Sequence, residues 1–265
     1  MPAPFSAWHG FRGRGGLVLL LLSLGLRSMV GPALASAEGE HEQFTTLLAK
    51  HVKEGRVDYA ALQAGPAPLD RYLDFLASVP KSEFSQWDQP RRLAFLINAY
   101  NAWTLRLIVD HYPVGGIKEI GSLLRGPWDR PLVRLFGETL TLNKLEHGII
   151  RPEYAEPRIH FALVCAAKSC PILRSEAYTG PRLEAQLLDQ TRHFLATPSK
   201  NRVDSQARVV HLSPIFKWYG GDFEVSGGSV LAFLKPHWPG GSGPVEGDGY
   251  TVRYTEYDWS LNGIE

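Results

Sequence analysis

Apolar residues recur along most of the chain at helical spacing. Phe44, Leu47, Leu48 and Val52 fall on one face before Gly55, and Leu69, Tyr72, Leu73 and Leu76 do so again before Pro80, which predicts two surface helices. Residues 90–111 (PRRLAFLINAYNAWTLRLIVDH) have a different character. Leu93, Phe95, Leu96, Ile97, Tyr100, Trp103, Leu105, Leu107 and Ile108 cover every side, and a helix that is apolar all round is a buried one. Asn98 and Asn101 are three apart and share one face of it. A buried amide costs ~1 to 3 kcal/mol unless it is hydrogen-bonded, so the pair either ties the helix to a neighbouring loop or stands on the wall of a site.

From Leu132 the period shortens. Residues 132–136 and 139–142 flank Gly137-Glu138, a Gly-X connection suited to a tight hairpin. A helix is expected next, opened by a capping box in which Asn143 caps the first turn and Glu146 reaches back to it. His147 follows, and Arg151 ends the helix where positive charge suits the carbonyl end. Residues 158–165 (RIHFALVC) read as a strand buried on both faces, and the segment through Cys170-Pro171 as a turn. Beyond it the pattern predicts a helix at 181–196, a strand at 209–212 and a turn carrying Trp218 and Tyr219 that Gly220-Gly221 ends. A helix at 227–234, a surface loop at 236–249 and a strand at 250–257 complete the chain. The expected fold is α+β: a single domain with a small, mainly antiparallel sheet packed by helices around a buried central helix at residues 90–111.

The first residues are of another kind. Arg12 and Arg14 precede the apolar run 17–26 (LVLLLLSLGL), and Gly31-Pro32 then leads into ALASA at 33–37. This is the pattern of a secretory signal peptide cleaved after Ala35 or Ala37, and the run is well short of the ~20 residues a spanning helix needs. The expectation is a signal peptide at 1–37, one domain at 38–265, a periplasmic or secreted location and no membrane span after cleavage. Of the 265 residues, 28 are Lys or Arg and 27 are Asp or Glu; cleavage removes Arg12, Arg14 and Arg27 and no acid, leaving 25 against 27. With no basic excess a nucleic-acid partner is not expected, and the partner is otherwise open.

Four runs stand out: FLINAYNAWTL (95–105), LEHGIIR (145–151), RIHFALVCAAKSCP (158–171) and IFKWYGGDF (215–223), with VKEGRVDYAAL (52–62) and YDWSLN (257–262) towards the two ends. In this order they resemble the domain of unknown function 547 family over almost all of the mature chain. The resemblance identifies relatives and implies no particular reaction or catalytic residue.

The chemistry therefore rests on the residues themselves. The matching runs carry Asn98, Asn101, Glu146, His147, Arg151, His160, Cys165, Ser169 and Cys170. In a thiol hydrolase a cysteine attacks a carbonyl, a histidine takes and returns the proton, and a third polar group orients the ring. Cys165, His160, His147 and Glu146 are the catalytic candidates, with Asn98, Asn101, Arg151 and Ser169 as candidates for binding substrate. On a regular strand His160 and Cys165, five apart, point to opposite faces and cannot pair directly; Cys170 in the turn is free to fold over the same face as His160, or Cys165 pairs with His147, brought in from the helix, and Cys165 with His147 or His160 is the pair to test first. A Cys165–Cys170 disulfide is equally open, since export favours oxidation and a turn brings the two together. Closing so small a loop stabilises by only about 2 kcal/mol on the chain-entropy account.

No metal and no cofactor are expected, because no H-x-x-x-H, C-x-x-C or H-E-x-x-H spacing presents two ligands from one turn. Trp218, Tyr219, Asp222 and Phe223 beside Gly220-Gly221 either line a sugar or peptide cleft or form a packing corner. Two functions follow: a cysteine-dependent hydrolase or acyl transferase acting on a peptide or cell-wall amide, or a non-catalytic periplasmic binding or assembly protein stapled by its two cysteines.

Overall fold

The Gln89–His111 helix organises the computed structural model, which describes residues 39, 41–122, 125–241, 243 and 249–264. The segment expected to be a signal peptide lies outside the described residues. Asp88 caps the helix, its Oδ1 accepting from the Arg91 N–H at 2.8 Å, and Pro90 sits in the first turn, where a missing N–H removes no helical bond. The helix ends at His111 because Pro113 disfavours the α conformation at the residue before it. Every residue from Leu93 to Leu105 is buried, Asn98 and Asn101 included. The all-round apolar pattern thus marks a helix enclosed by other elements.

Glu42–His51, Tyr59–Ala64 and Ala67–Ser78 are helices on one side, and they turn Phe44, Leu47, Leu48, Leu69, Tyr72, Leu73 and Leu76 into the core. The Leu183–Leu195 helix and the short turn Gly180–Arg182 contact the central helix elsewhere. A second apolar cluster is built from Phe161, Phe194, Phe216, Phe223 and Phe233. Phe161 stacks on Phe194 with centroids 5.0 Å apart. The described residues pack as one compact unit, and no helix among them is long and apolar enough to cross a membrane.

The α+β class holds, with the strands divided among three small sheets. Val52–Lys53 pairs with Arg56–Val57 and Val133–Leu135 with Glu138–Leu140, both antiparallel. Val209–Leu212 lies between antiparallel Arg202–Asp204 and parallel Thr251–Tyr254. The second hairpin turns on Phe136-Gly137, one residue earlier than the Gly-Glu pair suggested, with φ of 56° and 78°. Phe136 takes this left-handed position while its ring packs on Phe84 at 4.8 Å; a tertiary contact there outweighs local preference.

Residues 158–165 form no strand. Pro157–Phe161 is a 3-10 helix capped by Glu156, whose carboxylate accepts from the Arg158 N–H at 3.0 Å. Its apolar residues are buried because they run between the two cores, and a short continuous apolar run has no period that separates strand from other buried backbone. The capping box is absent as well. Thr141 caps the helix, its Oγ1 accepting from the Lys144 N–H at 3.0 Å, and the chain then widens into a π turn at Glu146–Ile150. Gly220-Gly221 starts a helix, Gly220–Gly227, instead of ending one.

The last residues run back across the domain. The N–H groups of Lys168 and Asn262 donate to the carbonyls of Ser260 and Ala166 at 2.9 and 3.0 Å, and the Val57 N–H donates to the Asn262 carbonyl at 3.0 Å. Tyr59 donates its hydroxyl to Asn262 Oδ1 at 2.8 Å. This terminal segment holds down the loop that contains both cysteines.

Candidate functional site

Where the π turn, the 3-10 helix, the cysteine loop and the terminal segment meet, they enclose a cavity of about 210 Å3. Glu146, His147, His160, Cys165 and Cys170 all face it. Glu146 and the consecutive His147 both belong to the π turn and both line the cavity.

Cys165 is partly exposed and Cys170 buried, and both are free thiols. The Cys165 N–H donates to Cys170 Sγ at 2.9 Å, and Cys165 Sγ lies 3.3 Å from the Tyr257 hydroxyl. Hydrogen bonds from the Cys170 thiol, from Tyr257 and from the Ala167 N–H hold the Cys165 thiol below its usual range, although burial and the Glu146 charge oppose this. Burial pushes Cys170 up. Burial also pushes Tyr257 up, so its hydroxyl keeps its proton. The pair therefore divides: Cys165 ionises more readily, and Cys170 remains a protonated donor. Ala166, directly after Cys165, has φ of 60°, a left-handed turn that costs an alanine about 1 to 2 kcal/mol and that the Asn262 bond to its carbonyl holds in place.

His160 is buried, with Nε2 2.7 Å from Asp222 Oδ2 and its ring stacked on Tyr219 at 3.9 Å. Arg151 grips the same carboxylate from the other side, with Nε on Oδ2 and Nη2 on Oδ1, each at 2.8 Å. These Arg151 bonds hold Asp222 below the usual carboxylate range. Burial outweighs the Asp222 bond and pulls His160 down to about 4. At neutral pH the ring is neutral, Nε2–H donates to Asp222, and Nδ1 keeps its lone pair. With no strand between them, His160 and Cys165 line one cavity, and the opposite-face objection falls away.

His147 is half-exposed, 3.7 Å from a Glu146 oxygen. Arg151 Nη1 donates to its Nδ1 at 3.2 Å. The Glu146 carboxylate is buried beside Tyr100 and Tyr219. Burial, reinforced by that charge, pushes both tyrosines well above their usual range. Among the described residues no three His, Cys, Asp or Glu side chains are grouped as a metal ion would require.

Four residues expected to bind substrate have other partners. Asn98 donates to the Tyr178 carbonyl at 2.7 Å and accepts from the Tyr178 N–H at 2.9 Å. Asn101 does the same between Ala162 and Val164, at 3.0 Å each. Both amides are spent on backbone and neither lines the cavity. Ser169 accepts from the Asp258 N–H at 2.9 Å and fastens the terminal segment. Arg151 acts on Asp222 and His147, not on the cavity directly.

Residues 84–195 match the family described as protein of unknown function, DUF547. No curated protein and no solved structure matches the chain. The DUF547 match contains Glu146, His147, Arg151, His160, Cys165 and Cys170, while Asp222, Trp218, Tyr257 and Trp259 come from residues beyond it. Asp222 is the partner that reasoning from the sequence did not assign to His160. It stood in view beside the W-Y-G-G run, but a separation of 62 positions carries no local signal. That run does two jobs: Trp218 and Tyr219 face the cavity, and Phe223 is buried in the second core.

Proposed function

We propose that the protein is an exported, cysteine-dependent hydrolase or acyl transferase acting on a peptide or cell-wall amide, with Cys165 as nucleophile, His160 as base and Asp222 orienting the imidazole. The observation that carries the reading is a single cavity lined by a thiol held below its usual range and by a neutral imidazole fixed on a partly exposed carboxylate. His160 Nδ1 takes the Cys165 proton, and the sulfur bonds to the carbonyl carbon. The C–N bond breaks, the leaving amine takes the proton from His160, and water or a second amine releases the acyl group. Tyr257 donates to the thiolate, and Arg151 keeps Asp222 ionised. The leader-like residues 1–37 support a periplasmic or secreted setting.

The close approach of Cys170 Sγ to Cys165 supports a second reading, a non-catalytic binding protein closed by a disulfide. Iodoacetamide labelling of unreduced protein, located by mass spectrometry, separates the two. The hydrolase reading expects Cys165 to be alkylated with a midpoint below the ~8.5 of a free cysteine, Cys170→Ala to raise that midpoint, and Cys165→Ala to abolish amide cleavage against a peptide and muropeptide panel. Asp222→Asn should slow cleavage by ~100-fold or more, the scale of general acid–base assistance. No alkylation of native protein until strong reductant is added, or cleavage that survives Cys165→Ala, overturns it.

A further inference from the structure

The cavity is lined by a buried carboxylate that the proposed chemistry does not use. Arg151 is engaged on both Asp222 oxygens, and His160 is neutral on the same carboxylate. That leaves Glu146, whose side chain is only 8% exposed and whose neighbours in the cavity are the hydroxyls of Tyr100 and Tyr219. Lys118 and Lys200 lie over Trp259 and on the Cys170 carbonyl, and neither lines the cavity. A buried carboxylate hydrogen-bonded to two tyrosine hydroxyls gains from an incoming cation, because low polarity strengthens the attraction and the carboxylate has already lost much of its water.

The walls favour the same ligand. Trp128, Trp218, Tyr257 and Trp259 form a contiguous group at the cavity, with Tyr257–Trp259 centroids 4.5 Å apart, Trp218–Tyr257 4.8 Å and Trp128–Trp259 6.0 Å. Trp218 is 47% exposed, unusual for so large a ring and consistent with a face kept open for a ligand. Indole and phenol faces attract cations, and Trp259 already has the Lys118 ammonium 3.6 Å from its centroid.

We propose that Glu146 and this aromatic group bind an organic ammonium on the substrate, such as the side-chain amine of a lysine or another diamino acid. Glu146 is then a specificity residue and takes no part in proton transfer. Which amide is cut rests on the cysteine-hydrolase reading; the ammonium site does not, and it is tested without turnover.

The Cys165→Ala chain is titrated with Nα-acetyl-lysine amide, Nα-acetyl-norleucine amide and N-acetylglucosamine, following tryptophan fluorescence. The lysine derivative should bind about tenfold or more tightly than norleucine, and E146Q should erase that preference. Comparing the two amides on a chain that keeps Glu146 reads the proposal even if E146Q fails to fold. Equal binding of the two amides, a lysine preference that survives E146Q, saturation by the sugar alone, or no binding at all overturns the inference. Cys165 alkylation and amide cleavage are read on separate samples, so the hydrolase reading stands or falls apart from it.

Discussion

Two cysteines five positions apart differ in behaviour because of what surrounds each sulfur. Cys165 gathers donors and Cys170 gathers apolar surface, so their ionisation diverges. The histidines follow the same logic. His160 and His41 are both buried, and desolvation pulls each down to about 4 from an unfolded value near 6.5. Below pH 6.5 the unfolded chain takes up protons that the native chain refuses until about pH 4. Stability is therefore fully present above pH 6.5 and falls across that window, by about 3 kcal/mol for each ring. Urea unfolding at pH 7 and pH 4.5 should show the fall, and His41→Gln should remove roughly half of it. A flat profile across the window contradicts burial of the two rings as neutral species. The cysteines, His147 and His160 were visible as candidates in the sequence, and His41 was not. Which histidine is neutral, and on which carboxylate, was not, because desolvation depends on the whole surrounding shell.

At the scale of elements, the central helix was legible because an apolar residue on every side admits one solution, enclosure. Its two asparagines were legible as a pair, and the structure assigns them to packing: each amide meets both a backbone N–H and a carbonyl from loops at 162–164 and 178. Asn101→Ala leaves the Ala162 carbonyl and the Val164 N–H buried without partners. Urea denaturation should show a loss of about 2 to 6 kcal/mol, from ~1 to 3 kcal/mol for each orphaned group. A loss below 0.5 kcal/mol would mean that water reaches these groups. The π turn and the 3-10 helix were not legible. Both are local departures from regular backbone, the 3-10 helix capped by Glu156 and run between two cores, and hydrophobic period carries no record of them.

At the scale of the molecule, the cysteine loop is completed by the end of the chain. Residues 257–262 supply Tyr257 and Trp259 to the cavity and bond to Ala166, Lys168 and Val57. They lie outside the DUF547 match at 84–195. Ending the chain after Thr255 should lower the thermal midpoint strongly, because the Asn262 bonds to Val57, Ala166 and Tyr59 go together. The milder Tyr257→Phe should fold and raise the pH midpoint of Cys165 alkylation, since one donor to the sulfur is lost. An unchanged midpoint in Tyr257→Phe would show that Tyr257 does not lower the Cys165 thiol.

The sequence by itself determined the α+β class, the buried helix at its centre, the family resemblance and the set of residue types from which a site is made. Each of these is written in local period or in contiguous motifs. The tertiary structure decided the pairings: His160 with Asp222, Cys165 with Tyr257, and Glu146 in a cavity instead of at a helix cap. Those depend on segments 60 to 90 residues apart being packed against one another, and on the loss of water that packing imposes, neither of which any short stretch of sequence contains.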